Sequence, residues 1–233
     1  MNLAAIAAGE GRRTLVWDLD PQGAATFLFR VRPKVKGGGR KLVRRRRDPL
    51  DAVKGTDTEG LDLLPADFSY RHLDLALDSI KRPHTGIARI LEPLADDYDV
   101  VILDCPPSIS LLSESVFAAC DVLLVPIVPS TLSVRTLEQL QAFLAGDAKA
   151  APAVVAFLSM VDRRRRLHRD LASSLPITLP AVTGASIPVA SAVELMGTRR
   201  APVASSHPRS PAAKAYAALW AEVAAKLALD GGA

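Results

Sequence analysis

The sequence predicts an α/β fold in which a doubly wound, mainly parallel sheet carries helices on both faces. Short apolar runs alternate along the chain with segments whose apolar residues recur at helical spacing, which is typical of βαβ units. Hydrophobic residues make up 49% of the 233 residues but aromatic residues only 5%. The core is therefore mainly aliphatic, as in helices layered on a parallel sheet. Because no linker or internal repeat interrupts this pattern, residues 1–233 are predicted to form a single domain.

Each strand is predicted from a short apolar run. These runs are Leu15 to Leu19, Leu61 to Leu64, Val100 to Leu103, Leu123 to Val128, Val154 to Leu158 and the ITLP segment at 177–180. Three helices are predicted from apolar residues at helical spacing behind a capping residue. Their caps are Thr85, either Ser133 or Thr131, and Ser210 followed by Pro211. Their apolar faces hold Ile87, Ile90, Leu91 and Leu94; Leu137, Leu140 and Leu144; and Tyr216, Leu219, Trp220, Val223 and Leu227.

Positive charge is concentrated in two segments of a chain whose formal net charge is +4. Between residues 30 and 47, in RVRPKVKGGGRKLVRRRR, ten of eighteen residues are Lys or Arg and none is acidic. The three consecutive glycines predict a flexible insertion or hairpin there. The second segment is RRRR at 163–166. Such clusters attract polyanions, although a solvated loop is the other interpretation of either one. The candidate DNA-binding residues are Arg44, Arg45, Arg46, Arg47, Arg163, Arg164, Arg165 and Arg166.

The cysteines, the histidines and the apolar stretches do not indicate an exported, metal-binding or membrane-spanning protein. Cys105 and Cys120 are predicted to be reduced core thiols. The four histidines show no metal-ligand spacing. No run of roughly 18 apolar residues predicts a membrane span, and the first residues lack the pattern of a secretory signal. We therefore expect a cytoplasmic protein.

Carboxylates follow two of the predicted strands. Asp18 and Asp20 lie in the segment DLDPQG, and Asp104 comes directly after four apolar residues in DVVILDCPPS. In open parallel sheets, ligands bind at the carboxyl ends of the strands. Carboxylates placed there suit a Mg²⁺ ion that is bound to phosphate groups. An acidic residue after a single strand is often only a turn residue, but together the three predict a nucleotide–Mg²⁺ site.

Three stretches of the chain resemble the ParA/Soj chromosome-partitioning ATPases, which are relatives of MinD. They are RRTLVWDLDPQGAAT, YDVVILDCPPSISLLSESVFAACDVLLVPIVPSTLSVRTLEQL and SPAAKAYAALWAEV. The resemblance covers nearly the whole chain and implies a P-loop-type fold that binds ATP and Mg²⁺. It makes DLDPQG the Walker A′ element and DVVILD the Walker B strand. It further implies that Asp20 is the catalytic residue and orients the attacking water, and that Asp18 and Asp104 serve the Mg²⁺. The residues that it assigns to nucleotide binding are Asp18, Gln22 and Pro188.

The chain departs from this family in its phosphate-binding loop. No GxxxxGK[ST] segment is present in the 233 residues. The segment KGGGRK at 36–41 is not such a loop, because Arg40 replaces a glycine, no Ser or Thr follows Lys41, and the segment lies after DLDPQG. The residues MNLAA resemble the interior of the family's first helix. We therefore expect that a first strand and the loop, about 15 residues, are missing ahead of Met1, either because an internal Met is taken as the start or because the protein is degenerate. ATP hydrolysis by this chain is expected to be weak or absent.

Three hypotheses for function arise from these features. The resemblance implies a partition ATPase whose ATP-bound homodimer binds DNA without sequence preference at the nucleoid. A ParB-like partner would stimulate its hydrolysis, and the cycle would segregate DNA or another cargo. The second hypothesis is a MinD-like, membrane-directed switch, but the final helix holds Glu222 beside Lys214 and Lys226 and so lacks the basic polar face of a membrane-binding helix. No membrane partner is therefore expected. The third is a nucleotide-blind pseudo-ATPase that acts as an interaction module.

Overall fold

The computed structural model describes residues 1–146 and 151–228. The protein chain divides into two compact units. The amino-terminal unit comprises Met1–Ala119 with Arg199–Pro202, and the carboxy-terminal unit comprises Cys120–Thr198 with the chain from Val203 onward. In each unit, parallel strands alternate along the chain with helices. The predicted α/β fold with a mainly parallel, doubly wound strand arrangement is confirmed.

The amino-terminal unit contains a four-stranded sheet with the strand order β2-β3-β1-β4. Its strands are β1 (Thr14–Asp18), β2 (Lys54–Gly55), β3 (Leu61–Leu64) and β4 (Val100–Asp104). Strand β1 is parallel to both β3 and β4, whereas the short β2 is antiparallel to β3. Its helices are α1 (Asn2–Gly9), α2 (Ala24–Leu28), α3 (Gly38–Val43), α4 (Leu73–Asp78), α5 (Gly86–Leu91) and α6 (Leu111–Phe117). Single 3-10 turns occupy Leu50–Ala52, Phe68–His72, Pro83–Thr85 and Glu92–Leu94.

Alternating side chains of β1 separate two apolar clusters, one on each face of this sheet. Leu15 and Trp17 belong to a cluster with residues of α3, α4, α5 and α6. Val16, between them, belongs to a second cluster with residues of α1 and α2. Because helices cover both faces, β1 is buried along its whole length, as a continuous apolar run predicts.

The carboxy-terminal unit contains three parallel strands in the order β5-β6-β7. They are β5 (Val122–Ile127), β6 (Ala153–Val161) and β7 (Val182–Pro188). The helices that follow in the chain are α7 (Thr131–Ala145), α8 (Arg166–Thr178), α9 (Ser191–Glu194), α10 (Met196–Arg199), α11 (Val203–Ser206) and α12 (Pro211–Lys226). Leu137 of α7 and Leu175 of α8 pack with strand residues such as Leu158 in the core of this unit.

The final helix begins as its sequence predicts. Ser210 is the N-cap of α12, its Oγ accepts a hydrogen bond from the Ala213 N–H at 3.1 Å, and Pro211 occupies the first helical position. The predicted stripe is buried at Leu219, Trp220 and Val223. Within the described part of the chain, neither this helix nor another is both long enough and apolar enough to cross a membrane.

The basic segment 30–47 differs from its prediction. Its central residues form helix α3 instead of a flexible insertion or hairpin. Val35, Leu42 and Val43 are buried in the core of the amino-terminal unit, and the Gly39 N–H donates to Ser69 Oγ at 2.9 Å. The three apolar side chains pack the segment against the core, and most of its Lys and Arg side chains are exposed. In the sequence, the high charge and glycine content of the segment obscured the spacing of these three apolar residues.

Two smaller predictions were also wrong. The ITLP segment at 177–180 is not a strand, because α8 continues to Thr178 and the next strand, β7, starts at Val182. The cap of α7 is Ser130 instead of Ser133 or Thr131, since the Ser130 Oγ accepts a hydrogen bond from the Ser133 N–H at 3.2 Å. Both errors arise from short polar or β-branched stretches in which several registers satisfy the same local pattern.

Candidate functional site

The carboxyl ends of β1 and β4 bring two of the predicted carboxylates together. The two strands are parallel and in register, so that Asp18 lies directly opposite Asp104. The Leu19 N–H donates to the Asp104 carbonyl oxygen at 2.8 Å and continues the ladder past the last strand residue. Neighbouring strands are about 4.8 Å apart, and residues in register project from the same face of a sheet. The two acidic side chains therefore leave the same corner of the sheet.

Asp18 is a buried carboxylate with one satisfied and one unsatisfied oxygen. Its exposure is 0%. Its Oδ2 accepts hydrogen bonds from the backbone N–H and from the Oγ1 of Thr26, both at 2.7 Å. Its Oδ1 is buried and has no hydrogen-bond partner. A buried carboxylate oxygen without a donor is costly, so this atom marks a position where a cation or donor fits.

Thr26 connects Asp18 to the rest of the amino-terminal unit. The Thr26 side chain is fully buried. Its Oγ1 donates to Asp18 and at the same time accepts a hydrogen bond from the Ala66 N–H at 2.8 Å. The Thr26 hydroxyl thus acts as a donor and as an acceptor at the same time. These two hydrogen bonds fix the orientation of the Asp18 carboxylate. The sequence analysis missed Thr26, although a hydroxyl residue in the first turn of a helix behind a strand-terminal carboxylate is a recognisable signal.

The pKa values of both strand-end carboxyls are raised. For Asp18 the main cause is desolvation by burial, which hydrogen bonds from Thr26 and from the Asp20 backbone partly oppose, and the charge of Asp20 raises its pKa further. For Asp104, desolvation again comes first, followed by the charge of Asp18, with a smaller contribution from Asp20. The charge of Asp18 thus raises the pKa of Asp104, and the charge of Asp20 raises the pKa of both. Bringing a cation among them would relieve this repulsion.

Asp20 lies in the turn between β1 and α2. Its Oδ1 accepts the Gln22 N–H at 2.8 Å, and its carbonyl oxygen accepts the Gly23 N–H at 2.9 Å. Gly23 adopts a positive φ of 68° as the N-cap of α2, a conformation that glycine adopts without strain. The turn leaves Asp20 half-buried and Gln22 exposed. The second carboxylate oxygen of Asp20 is therefore available at the edge of the site.

The amino-terminal end of α1 lies at the same corner. Helix α1 packs against β1, since Ala4 and Ala8 share an apolar cluster with Val16. The chain reverses between these two elements, which brings the start of α1 to the carboxyl end of β1. Met1 is the N-cap of α1 and has no capping side chain. The positive end of this helix therefore faces the two acidic residues.

These residues fit a Mg²⁺ ion that shares its ligands with phosphate groups. Among the residues that the structure describes, no three acidic, histidine or cysteine side chains converge as a protein-only metal cage. Mg²⁺ does not require one, because it is usually held by one or two carboxylates, waters and substrate phosphates. The unsatisfied Asp18 Oδ1 and the facing Asp104 provide that donor set. Without phosphate groups, a Mg²⁺ ion would have only these two carboxylates as protein ligands, so the residues fit Mg²⁺ alone less well.

The other predicted site residues lie elsewhere in the chain. Pro188 is the last residue of β7 and pairs with Val161. It belongs to the carboxy-terminal unit, so its contact with a nucleotide stays a prediction. Arg163, Arg164, Arg165 and Arg166 belong to the same unit, follow β6, and are all exposed. Arg164 makes two hydrogen bonds of 3.0 Å to the carboxylate of Asp162.

The arginines at 44–47 are less available than their sequence suggests. Arg44 donates to Ser79 Oγ at 3.3 Å, and Arg45 pairs with Glu92 at 3.6 Å. Arg47 is only 18% exposed and donates to the Asp51 carbonyl oxygen at 3.0 Å. The Arg46 side chain is exposed. Their contact with DNA stays a prediction, but most of these side chains already have partners in the chain.

Comparisons with known proteins show which family and fold the chain resembles. A family model described as an AAA domain, AAA_31, matches residues 1–150. The sporulation initiation inhibitor protein Soj of Bacillus subtilis (strain 168) is 31% identical over 141 residues, which make up 60% of this chain and 56% of Soj. The chain spans about half the length of the curated relatives that it matches.

Two solved structures share the fold. The cobyrinic acid a,c-diamide synthase from Mycobacterium smegmatis, with bound ATP analog and magnesium, is 28% identical and has a TM-score of 0.72, covering 82% of this chain and 80% of its own. The septum site-determining protein MinD from Pyrococcus horikoshii OT3, complexed with Mg-ADP, is 18% identical with a TM-score of 0.77, covering 95% and 87%. The chain belongs to the AAA_31 family of AAA domains.

Proposed function

We propose that the chain is a ParA-type nucleotide switch that binds ATP with Mg²⁺ at the carboxyl ends of β1 and β4. The observation that carries this proposal is the in-register pair of Asp18 and Asp104, with the buried Asp18 Oδ1 left without a partner. The bound ATP analog and magnesium in the Mycobacterium smegmatis relative support it. The positive end of α1 at the same corner suits a phosphate group.

In this proposal, each residue of the site has a separate task. Asp18 and Asp104 would hold the Mg²⁺, with Asp18 oriented by Thr26. Bound Mg²⁺ would supply positive charge to the phosphate oxygens. Asp20, whose turn is fixed by the Gln22 and Gly23 N–H groups, orients the water that attacks the terminal phosphate. Catalysis then depends on positioning and charge.

The decisive experiment measures ATP binding by isothermal titration calorimetry, with Mg²⁺ and with EDTA. The unaltered chain should bind ATP more tightly with Mg²⁺. Asp104→Asn should remove this gain, which we expect to be about 10–100-fold, because it removes a charge that holds the ion. Asp20→Ala should change binding by less than about twofold, since Asp20 acts on water. Any hydrolysis measured in parallel should fall to background with Asp20→Ala.

Asp78→Asn is the matched control. Asp78 is an exposed residue at the end of α4 in the same unit, so the substitution changes the charge equally without touching the site. It should keep the full Mg²⁺-dependent gain. If the unaltered chain binds ATP equally in EDTA, or if Asp104→Asn keeps the gain, the proposal is wrong. A chain that binds no ATP under either condition would instead be the nucleotide-blind interaction module.

The proposal also includes dimerisation, DNA binding and stimulation by a partner protein. ATP binding would drive homodimerisation, the dimer would bind DNA without sequence preference, and a ParB-like partner would stimulate hydrolysis. Arg163 and Arg165 are the favoured DNA contacts, because both are exposed and make no ion pair within the described residues. Hydrolysis by this chain is expected to be weak or absent, because its 233 residues contain no GxxxxGK[ST] segment.

A further inference from the structure

A cavity of about 660 Å³ in the amino-terminal unit is surrounded by cationic side chains. Its volume lies within the range of roughly 300–1,000 Å³ that is typical of small-molecule sites. The lining residues are Val31, Arg32, Lys34, Lys36, Arg47, Asp51, Ala52 and Lys54. None of them belongs to the Asp18–Asp104 site. A ligand bound in this cavity would therefore occupy a site separate from the Asp18–Asp104 site.

The cavity wall has a strong excess of positive charge. Five of its eight residues are Lys or Arg and one is acidic. The acidic residue, Asp51, is already engaged, because its carboxylate lies 4.0 Å from the Arg47 guanidinium. Arg32, Lys36 and Lys54 make no ion pair within the described part of the chain. Lys34 is close enough to Asp67 to contribute to lowering the pKa of that carboxyl. Most of the positive charge thus has no counter-charge from the protein.

The cationic side chains are carried by fixed backbone. Val35 is buried in the core, and its N–H donates to Asp67 Oδ2 at 2.8 Å. Lys34 and Lys36 flank Val35 on either side and are both exposed. Lys54 lies on β2, which is paired with β3. Like charges held together by a folded backbone repel one another, and an anionic ligand would relieve this repulsion.

Arg47 is the least exposed cation of the cavity wall. Its side chain is only 18% exposed. One guanidinium nitrogen donates to the Asp51 carbonyl oxygen at 3.0 Å, which fixes the group against the 3-10 turn Leu50–Ala52. The planar guanidinium group matches phosphate geometry, so Arg47 suits a phosphate group in the cavity.

We propose that this cavity binds a small ligand that carries two or more phosphate groups. The number of unpaired cations requires more than one negative charge, and the aliphatic stems of the Lys and Arg side chains provide the walls. A concave site of this volume encloses a compact polyanion, whereas a DNA duplex presents its phosphates on a convex surface. Binding here needs no Mg²⁺, since the protein supplies the positive charge.

The test uses tripolyphosphate as the probe, titrated into the full chain in EDTA. The unaltered chain should bind it saturably. The double variant Lys36→Gln/Lys54→Gln should weaken this binding by about tenfold or more. The control Lys81→Gln/Arg89→Gln removes the same charge at exposed positions of the same unit away from the cavity and should change the affinity by less than about twofold. Circular dichroism should show that both variants are folded.

The outcomes separate the cavity from general electrostatics and from the nucleotide site. No saturable binding to the unaltered chain, or equal weakening in both variants, contradicts the proposal. Duplex DNA binding that falls in the cavity variant, without tripolyphosphate binding, contradicts it as well. ADP in EDTA identifies the source of the phosphates. A matching loss of ADP affinity in the cavity variant indicates a nucleotide, and tripolyphosphate binding alone indicates an inorganic ligand. Both results support the cavity, and neither depends on Asp104.

Discussion

Thr26 is the residue that orients the Asp18 carboxylate. Thr26→Val keeps the shape of the side chain but removes the hydroxyl, which leaves Asp18 Oδ2 with one hydrogen bond fewer and the Ala66 N–H without its acceptor. We expect the free energy of unfolding to fall by about 1–3 kcal/mol, measured by urea denaturation. Thr136→Val, at an exposed position of α7, should change it by less than about 0.5 kcal/mol. Equal effects of the two substitutions would contradict this role of Thr26.

Asp162 and Arg164 form an ion pair whose strength can be measured directly. Hydrogen bonds from Arg164 lower the pKa of Asp162 from 3.8 to about 2. Because this pKa is lower in the folded chain, the carboxylate stabilises the fold above the ordinary pKa, and that contribution is lost as the pH falls through about 2. A carboxyl ¹³C NMR titration should show the low pKa in the unaltered chain.

Two arginine substitutions test the cause of this low pKa. Arg164→Gln should return the pKa of Asp162 towards 3.8, because it removes the two side-chain hydrogen bonds. Arg163→Gln removes a neighbouring charge but no hydrogen bond to Asp162, and should leave the pKa near its low value. If Asp162 of the unaltered chain titrates near 3.8, the ion pair is not formed in solution.

The sequence allowed the acidic residues of the site to be predicted, but not their supporting residues. Asp18, Asp20 and Asp104 each follow a clear apolar strand, and parallel strands bring their carboxyl ends to one edge. Thr26 was missed, because its importance lies in a shared hydrogen bond that only tertiary contacts create. The pairing of Asp18 with Asp104 similarly depends on the register of β1 and β4, which strand patterns do not specify.

The packing of α3 against the core of the amino-terminal unit can be tested by a substitution at Gly39. A Cβ on Gly39 would lie 2.7 Å from Leu73 Cδ2 and 2.9 Å from Tyr70 Cδ1. The Tyr70 ring is fixed by a hydrogen bond from its hydroxyl to the Pro65 carbonyl oxygen at 3.3 Å. We therefore expect Gly39→Ala to lower the free energy of unfolding by about 1–3 kcal/mol, measured by thermal and urea denaturation.

Gly9→Ala, in α1, is the control for this substitution. A Cβ there would meet no atom within 4 Å, so the change should be neutral or stabilising by up to about 1 kcal/mol. If Gly39→Ala is as well tolerated as Gly9→Ala, α3 does not pack against the Phe68–His72 turn. The segment would then be the flexible insertion that its charge and glycine content predict.

Strands and helices could be predicted from the sequence where the residues buried in the structure match the local pattern of apolar residues. The strands β1, β3 and β4 and the helix α12 follow their apolar runs to within one or two residues. The short β2 and the helix α3 were missed. In α3, two buried residues, Leu42 and Val43, are surrounded by Lys and Arg, so local composition outweighs the apolar signal. Burial against α4 and the Phe68–His72 turn decides the structure instead.

The proposed DNA-binding function predicts a steep dependence on salt. Each phosphate contact contributes a slope of about −0.9 to the logarithm of the binding constant against the logarithm of salt concentration. Arg163→Gln/Arg165→Gln should therefore reduce the slope by about 1.8, measured by fluorescence anisotropy with a DNA duplex. Lys81→Gln/Arg89→Gln, two exposed cations of the amino-terminal unit, should leave the slope unchanged. An unchanged slope in the Arg163/Arg165 variant would exclude these residues as phosphate contacts.

The proposed Mg²⁺ site depends on the whole fold of the amino-terminal unit, because β1 and β4 are distant in sequence and must pair in register for it to form. Paramagnetic NMR can detect this site, with Mn²⁺ and ATP added to the isotope-labelled chain. We expect Mn²⁺ to broaden the amide signals of Asp18, Thr26 and Asp104 first, and only when ATP is present. Signals that broaden elsewhere while these three remain sharp would contradict the claim that Asp18 and Asp104 hold the metal of a bound nucleotide.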